Sequence, residues 1–487
     1  MYPIKSIIKN SWWSIIFLFL TVDILKPQTD DKIESLNTSS GFIAVGPSEP
    51  VVEYLNEVSS PIPDELKKVA VEVFFDLLPI KMRFSLPCYP AVVTENNIHF
   101  SNGWTETYDP KASGSCEVLW DRDSKYARMW IESQNPARII IRVRAAIADP
   151  DGYIAHSYIP SGSPYGKGDW TDEWYYIYPD GTHTRYVRIY TGLAERSFTV
   201  TDETFGDLPT VREIPPFVVH EFQEDFVFGV NGHVPEDDIE SAPVTFIRLN
   251  GDEKTYSYQP YPKDFNEYLN APIKLINLKS EYRPFTISLP YGLENEPYPP
   301  EGELPHTFQT WPSNPTDGGY STSLGHSLNW WHYKRTNKIL EQIYLSGMTN
   351  TDQPANELIT IAKSWLIYPR LKIGQREYSY TNPIYDPAQR AYIISKQEYA
   401  PGKIEFSLGG YVSVDEESSL PVYIVNPVFI VKEWGTAKAN VHVNEIPLKE
   451  GQDYRTGYEK GDAGTDLVVW LKYKSNKETF FEIIPQD

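Results

Sequence analysis

A β-hairpin rich in aromatic and ionisable side chains is predicted over residues 166–190. From Trp174 to Tyr178, residues that favour strands alternate with a period of two. The Pro-Asp-Gly segment at 179–181 predicts a turn, because proline presets φ and glycine accepts a positive φ. Arginine and histidine beside tryptophan and tyrosine suit sugar or uronate recognition, whereas an exposed face of solvated charges is the alternative. Alternation on the return strand predicts one face with His183, Arg185 and Val187, and the other with Thr184, Tyr186 and Arg188.

A second window of candidate chemistry lies between residues 306 and 335. Histidine and tyrosine are proton-transfer groups, aromatic faces stack on sugar rings, and basic side chains neutralise carboxylates. Aromatic residues that merely cover a sheet edge are the alternative. The window contains His306, His326 and His332 among the nine histidines of the chain, together with Trp311, Tyr320, Trp330, Trp331, Lys334 and Arg335.

Two further histidines and several carboxylates are candidates. His220 is predicted on a strand over 218–228, on the same face as Glu224. A histidine between apolar strand residues is more often structural than catalytic. His156 precedes the loop that leads into the hairpin. A glycoside hydrolase would need two carboxylates, and the candidates are Asp169, Asp172, Glu173, Glu221 and Glu224.

Composition excludes several classes of protein. The net charge of −22 lacks the basic footprint that nucleic acids require, and it makes any anion site a local exception. The HExxH, GxSxG, GxGxxG and P-loop motifs are absent. The two cysteines, Cys88 and Cys116, could form one disulfide or remain buried thiols, but without CxxC they do not predict a thiolate metal site. We expect no catalytic cofactor, with a structural calcium ion left open.

The N-terminus has the pattern of a secretory signal. Lys5 and Lys9 precede an apolar run at 12–20 that is too short to span a bilayer. We therefore predict a signal peptide over 1–28, a flexible leader over 29–60, and a protein that is secreted or periplasmic, with no membrane attachment after cleavage.

The rest of the chain predicts an all-β fold. Short strands with Gly, Pro, Asn and Asp between them are typical of large antiparallel sheets. We predict one short helix near 63–73, a helix or strand at 339–347, and a strand at 364–368. The simplest architecture is a large antiparallel β-sandwich over 61–414 that holds the site groove, followed by a C-terminal β lobe over 415–487.

Several segments carry a family resemblance. They are residues 168–181 with Arg185, 220–224, 235–237, 277–280 with Pro284 and Phe285, 323–328, and 466–471. Together they resemble exported bacterial polysaccharide lyases of the ulvan-lyase type, with polysaccharide lyase family 40 as the candidate family. The resemblance implies a galactose-mutarotase-like β-supersandwich and cleavage of an anionic polysaccharide.

These observations lead to a hypothesis of β-elimination at a uronate. His326 or His220 would take the C5 proton, Tyr320 would protonate the leaving oxygen, and Arg185 would neutralise the carboxylate. A glycoside hydrolase and a non-catalytic carbohydrate-binding protein remain alternatives. Substrate contacts are predicted for Arg188, Lys279, Trp170, Trp330, Trp331 and His156.

Overall fold

The computed structural model describes most of the chain after residue 70. The described residues are 40–48, 71–85, 89–121, 124–193, 198–201, 211–214, 220–257, 271–289, 293–297, 319–329, 334–336, 338–373, 376–377, 385–395, 402–409, 411–413, 419–421 and 423–486. The predicted signal peptide lies outside them, as do residues 63–70 of the helix predicted near 63–73. At 71–73 that prediction is wrong, because these residues belong to a strand, Val71–Phe74, whose side chains alternate between more and less buried. Part of the predicted leader is an ordered strand at Ile43–Val45. Within the described residues, no helix combines the length and apolarity that crossing a bilayer requires.

Strands dominate the first 350 residues of the chain. They are β1 (Ile43–Val45), β2 (Val71–Phe74), β3 (Lys81–Ser85), β4 (Tyr89–Val93), β5 (His99–Ser101), β6 (Trp104–Thr107), β7 (Cys116–Glu117), β8 (Arg128–Gln134), β9 (Ile139–Ala146), β10 (Trp170–Ile177), β11 (His183–Tyr190), β12 (Phe198–Thr201), β13 (Val211–Ile214), β14 (His220–Phe228), β15 (Ile239–Ile247), β16 (Glu253–Tyr256), β17 (Ile273–Leu278), β18 (Arg283–Ser288), β19 (Leu293–Pro297), β20 (Ser321–Asn329), β21 (Lys334–Arg335) and β22 (Ile339–Thr349).

Helices are few, and further strands complete the chain. A 3₁₀ helix spans Val118–Trp120, α1 spans Pro235–Asp238 and α2 spans Pro354–Leu366. The later strands are β23 (Arg370–Ile373), β24 (Arg376–Glu377), β25 (Tyr385–Asp386), β26 (Ala391–Ile394), β27 (Ile404–Gly409), β28 (Tyr411–Ser413), β29 (Ser419–Pro421), β30 (Ile424–Val425), β31 (Val428–Val431), β32 (Ala439–Val443), β33 (Ile446–Pro447), β34 (Tyr454–Lys460), β35 (Thr465–Leu471), β36 (Lys474–Ser475) and β37 (Thr479–Pro485).

Two ten-stranded sheets form the large sandwich. Sheet A has the order β1-β2-β3-β4-β5-β14-β20-β19, with β6 paired to β14 and β7 paired to β6. Sheet B has the order β16-β15-β17-β18-β22-β11-β10-β9-β8, with β21 paired to β22. The inward side chains of both sheets form one apolar core, in which the ring of Phe84 meets Tyr175 edge-on at 4.9 Å. The prediction of an all-β antiparallel sandwich is confirmed.

The C-terminal strands form two smaller sheets. Sheet C has the order β24-β23-β27-β37-β32-β33, and sheet D has the order β25-β26-β31-β35-β34. They share a core in which the rings of Phe406, Phe429 and Phe481 lie within 5.5 Å of one another. Strand β23 belongs to sheet C although it precedes residue 415, and the domain boundary at 415 stays a prediction.

Helix α2 corrects the strand that we predicted over 364–368. The helix begins with Pro354 in its first turn and buries Leu358, Ile361 and Trp365 on one face. That face shares an apolar cluster with Leu345 of β22, on the outer side of sheet B. The apolar spacing of three and four residues is that of a helix, whereas a strand would alternate with a period of two. The ambiguous segment at 339–347 is a strand, β22.

Two ion pairs, of which the one between Arg138 and Glu459 is buried, join the large sandwich to the C-terminal sheets. Arg138, which precedes β9, binds Glu459 of β34 through Nε at 2.7 Å and also through its second terminal nitrogen. Arg455 of β34 binds both carboxylate oxygens of Asp76 at 2.9 Å. Each pair joins residues that are more than three hundred positions apart in sequence, so the two parts of the chain are fixed against each other.

The predicted hairpin is strands β10 and β11. Trp174 lies opposite Tyr186, and the turn closes with Gly181 at a φ of 78°. His183 and Arg185 face the interior of the sandwich, where they are buried. Tyr186 and Arg188 lie on the outer side, as the alternation predicted. The hairpin therefore separates its aromatic outer face from the buried ionisable pair, rather than presenting them together.

Candidate functional site

Three glutamates form a cluster on sheet A. Strand register pairs Glu106 of β6 with Glu117 of β7, and Glu106 also lies opposite His220 of β14. Farther along β14, Glu224 lies opposite His326 of β20. Residues opposite one another on neighbouring strands have Cβ atoms about 5 Å apart and share a face. The sheet thus brings the backbone positions of both predicted bases next to carboxyl groups.

The cluster lies on the side of sheet A that faces away from sheet B. Asp225 follows Glu224 and binds Lys274 of sheet B at 2.6 Å, so it points into the sandwich. Because neighbouring strand residues point to opposite faces, Glu224 points outward. Trp104 of β6 packs beside the cluster and stacks on Phe226 at 5.3 Å. This aromatic pair lies two residues from Glu106 along β6 and two residues from Glu224 along β14.

Burial raises the pKa values of these three carboxyl groups. It raises the pKa of Glu224 to about 8, with the charges of Glu117 and Asp225 adding to the effect. Burial likewise raises the pKa of Glu117 to about 6, although hydrogen bonds from Ser115 and Trp120 oppose it. The pKa of Glu106 is raised well above its usual value by burial and by its two glutamate neighbours. At neutral pH Glu224 therefore keeps its proton and can donate a hydrogen bond, whereas Glu117, with a pKa of about 6, is mainly ionised.

Arg185 lies apart from this cluster, on the inner face of sheet B. Its Nε and one terminal nitrogen bind the two carboxylate oxygens of Glu173 at 2.8 and 3.0 Å. The Tyr175 hydroxyl donates to the same carboxylate at 2.8 Å. The adjoining cavity measures about 20 Å³, which is room for about one water molecule and none for a sugar ring. The carboxylate-neutralising group that we predicted and the two predicted bases thus lie on different sheets.

Tyr320 and Lys279 come together at a third place, around Asp238. The Tyr320 hydroxyl donates to Asp238 at 3.1 Å, and the Asp238 carboxylate also binds His233 Nδ1 at 2.8 Å. Burial and the Asp238 charge raise the pKa of Tyr320 above its usual range. Lys279 is exposed, and its Nζ donates to the Glu236 carbonyl at 2.5 Å. Tyr320 precedes His326 by six residues, about 20 Å along a strand, so the predicted acid is remote from the predicted base.

His156 is a buried structural histidine. Its Nδ1 lies 2.7 Å from an Asp169 carboxylate oxygen, and its Nε2 lies 3.1 Å from the Tyr108 carbonyl. The ring is fully buried, with both nitrogens bonded to protein atoms. Burial raises the pKa of Asp169, which hydrogen bonds from His156 and Thr191 partly offset. The substrate contact that we predicted for His156 is therefore wrong, because no ring nitrogen is left to meet a ligand.

The outer face of sheet B holds a row of stacked aromatic and guanidinium groups. The rings of Trp174 and Tyr186 stack at 5.3 Å, and the Arg142 guanidinium lies 4.5 Å from the Trp174 ring and 5.2 Å from Trp130. Arg188 lies 5.6 Å from Trp174 and forms an ion pair with Glu341 at 3.0 Å. These cations are already neutralised by carboxylates, so the face offers half-buried aromatic surface rather than free positive charge.

The other residues singled out in the sequence are either buried in the protein or lie outside the described residues. Trp170 is buried against Tyr126 and Tyr165, and its indole nitrogen donates to the Lys167 carbonyl at 3.1 Å. Trp330 and Trp331 lie outside the described residues. Cys116 is a buried free thiol whose pKa burial raises, and Cys88 lies outside the described residues. Within the described part of the chain, no three His, Cys, Asp or Glu groups are arranged to hold a metal ion.

Sequence reasoning missed Glu106 and Glu117. The alternation of Trp104 and Glu106 around Thr105 was a local signal for a strand with a carboxyl group on its aromatic face. Glu117 follows Cys116 in a strand of two residues, which is too short to show the alternation of apolar and polar side chains that predicts a strand. Of the carboxylates weighed for a hydrolase, only Glu224 belongs to the cluster.

Comparisons with known proteins give distant neighbours. No family model and no curated protein matches the chain. The N-terminal domain of a Streptococcus gordonii adhesin aligns over 93% of this chain and 84% of its own, at 9% identity and a TM-score of 0.12. A polysaccharide lyase aligns over 92% of this chain, at 8% identity and a TM-score of 0.14, and this chain spans 47% of the lyase. At these TM-scores neither neighbour bears on the function of this chain.

Proposed function

We propose that the protein is an exported polysaccharide lyase whose active site is the Glu106–Glu117–Glu224 cluster with His220 and His326. The observation that supports the proposal is the register of sheet A. It places the backbone of His220 opposite Glu106 and that of His326 opposite Glu224, two glutamates whose pKa values burial raises. Active sites that transfer protons usually contain neighbouring ionisable groups with different pKa values, one acting as the base and the other as the acid.

The chemistry follows from what β-elimination requires at a uronate. A histidine takes the C5 proton, the C5–H electrons form the C4–C5 double bond, and the C4–O4 bond breaks as O4 receives a proton. Negative charge builds on the C6 carboxylate before O4 leaves, and it must be stabilised. A protonated Glu224 can donate a hydrogen bond to that carboxylate, which is the task that we first assigned to Arg185.

A protonated carboxyl also reconciles an acidic protein with an anionic substrate. Three ionised glutamates would repel a uronate, whereas neutral carboxyl groups present hydrogen-bond donors. Glu106, beside His220, is then positioned by register to protonate the leaving O4 in place of the remote Tyr320. We infer a uronate-containing polysaccharide as the substrate, with ulvan first, and export through the N-terminal apolar segment.

A glycoside hydrolase is the second candidate, because Glu117 and Glu224 have different pKa values of about 6 and 8 within one cluster. Such a pair could divide the roles of base and acid.

One assay separates these functions. The purified chain is incubated with ulvan, alginate, pectin and glycosaminoglycans, and both the ultraviolet absorbance of unsaturated uronate and new reducing ends are followed. The lyase proposal expects absorbance to rise on one polymer. New reducing ends without absorbance would establish hydrolysis instead. Neither signal on any polymer would overturn both enzymatic proposals.

Variants locate the site. His326→Ala should lower the elimination rate by about 10²- to 10⁴-fold, the usual contribution of a positioned base. Glu224→Gln keeps a hydrogen-bond donor and should retain most of the elimination, whereas Glu224→Leu should not. Loss in Gln and Leu alike would assign Glu224 to proton transfer. The matched control is His442→Ala, which alters a histidine of β32 far from sheet A and should leave the rate unchanged.

A further inference from the structure

Lys274 of β17 is a buried cation between the two sheets of the large sandwich. Its side chain shares a face of β17 with Ile276 and Leu278, which belong to the apolar core between the sheets. The side chains of Lys274 and Asp225 are only 6% and 1% exposed, and their charged groups lie 2.6 Å apart. Apolar side chains of similar volume often give equal or greater stability than a buried ion pair. Stability alone therefore does not account for a lysine at this position.

The Lys274 ammonium contacts both strands that carry the proposed site. Besides binding Asp225 of β14, it donates to the Ser327 hydroxyl of β20 at 3.2 Å. Asp225 is the residue after Glu224. Ser327 is the residue after His326, which lies opposite Glu224 in the sheet. One cation of sheet B is thus bonded to the immediate neighbours of both the donor and the base in the proposed reaction.

The pairing of β14 with β20 is irregular at the same point. Beyond the Glu224–His326 pair, Asp225 alone lies opposite two residues of β20 before the regular pairing resumes. One of the two is Gly325, whose φ of 142° lies in a region that favours glycine. Such a β-bulge bends its strand and redirects the side chains beside it. The orientation of Glu224 therefore depends on a local distortion, and Lys274 binds the β14 residue within it.

We propose that Lys274 is a positioning residue of the sheet A site. Its ammonium stabilises the bulge from the opposite sheet, and this fixes the backbone positions of Glu224 and His326 relative to each other. The inference rests on the proposed function, because it concerns the same site. A displacement of about 1 Å at a reacting group can lower a rate by about 10²-fold, so these contacts matter to the reaction although Lys274 lies between the sheets.

Steady-state kinetics of Lys274→Met test the proposal, on whichever polymer gives unsaturated uronate. We expect kcat to fall by about 10- to 100-fold while KM changes by less than about threefold, because the groups that contact the substrate remain. Lys432→Met is the matched control. It removes an ion pair of the same 2.6 Å length, with Asp466, from the C-terminal sheets and should leave kcat unchanged.

A double variant separates positioning from stability. Lys274→Met leaves the Asp225 carboxylate buried without this cation, which lowers stability. In Asp225→Leu/Lys274→Met two apolar side chains replace the pair, so stability in urea should recover while kcat stays low. A double variant with the kcat of wild type would assign Lys274 to stability alone and would overturn the inference, as would an unchanged kcat in Lys274→Met.

Hydrogen exchange followed by mass spectrometry tests these contacts without a substrate. Amides of β14 and β20 should exchange about tenfold faster in the double variant, the factor for losing about one hydrogen bond, while those of the β10–β11 hairpin keep their wild-type rates. Equal acceleration in all sheets, or none in β14 and β20, would overturn the inference even if the wild type is active. Absence of elimination by the wild type on every polymer would instead overturn the proposed function, and the role of Lys274 in it, whatever the exchange rates.

Discussion

Replacing Glu224 with glutamine should change how the stability of the protein depends on pH. The pKa of Glu224 rises from an ordinary 4.5 to about 8 because the carboxyl is buried. The folded state therefore keeps a proton that the unfolded chain releases above about pH 4.5. Stability from this group is fully present below pH 4.5 and is lost as the pH rises through 8. Glutamine cannot ionise, so Glu224→Gln removes this loss.

The size of the effect follows from the two pKa values. Linkage between 4.5 and about 8 gives wild type a loss of about 3 kcal/mol from pH 5 to pH 8 through this one group. The free energy of unfolding of Glu224→Gln should therefore increase relative to that of wild type by about 3 kcal/mol between pH 5 and pH 8, which means that the variant becomes relatively more stable.

Urea denaturation at half-unit pH steps, followed by tryptophan fluorescence, measures both free energies. The control is Glu405→Gln, because Lys403 lowers the pKa of this exposed carboxyl and places its titration below the interval. A constant difference between Glu224→Gln and wild type from pH 5 to pH 8 would refute the reasoning. The carboxyl would then be ionised at neutral pH, and the donor role in the proposed reaction would fall with it.

Three further substitutions test the framework. Arg138→Met leaves Glu459 buried without its cation and should lower the free energy of unfolding by about 3–5 kcal/mol in urea titrations; a change under about 1 kcal/mol would show that the pair is dispensable. Leu358→Ala opens a cavity between α2 and sheet B and should cost about 2–5 kcal/mol, whereas the exposed Asn356→Ala should cost little by thermal unfolding. Gly181→Ala forces a side chain into a φ of 78° with its Cβ 2.7 Å from Leu78, so its melting temperature should fall; an unchanged temperature would mean that the turn adjusts freely.

Local patterns predicted the fold better than the site. The β10–β11 hairpin was predictable because its alternation and its Pro-Asp-Gly turn lie within two dozen residues. Helix α2 was missed although Leu358, Ile361 and Trp365 have helical spacing, because the apolar end of that segment also fits a short strand. A short apolar run does not by itself distinguish the two structures.

The carboxyl cluster depends on strand pairing that a single sequence does not display. Glu106 lies opposite His220 in the sheet only because β6 pairs with β14, more than a hundred residues later in the sequence. Glu224 lies opposite His326 only because β20 pairs with the other edge of β14. Arg185 shows the converse, since its position in the hairpin was predictable but its partner Glu173 was not. A charged residue on a strand can serve a substrate or a neighbour, and only the three-dimensional arrangement distinguishes them.

The ion pair between Arg138 and Glu459 has a consequence for how the chain folds. Its two residues are 321 positions apart in sequence. Strand β14 likewise pairs with β20, about a hundred residues later, and sheet A is incomplete until that pairing forms. Contacts of such separation slow folding, because the loop-closure entropy is lost before the contact is made. During synthesis, Arg138 is made long before Glu459. Its guanidinium therefore lacks its carboxylate partner until β34 has been synthesised and has packed against the large sandwich. We therefore expect the folding rate to be limited by docking of the last strands, and chains shortened before β34 to be targets for proteases.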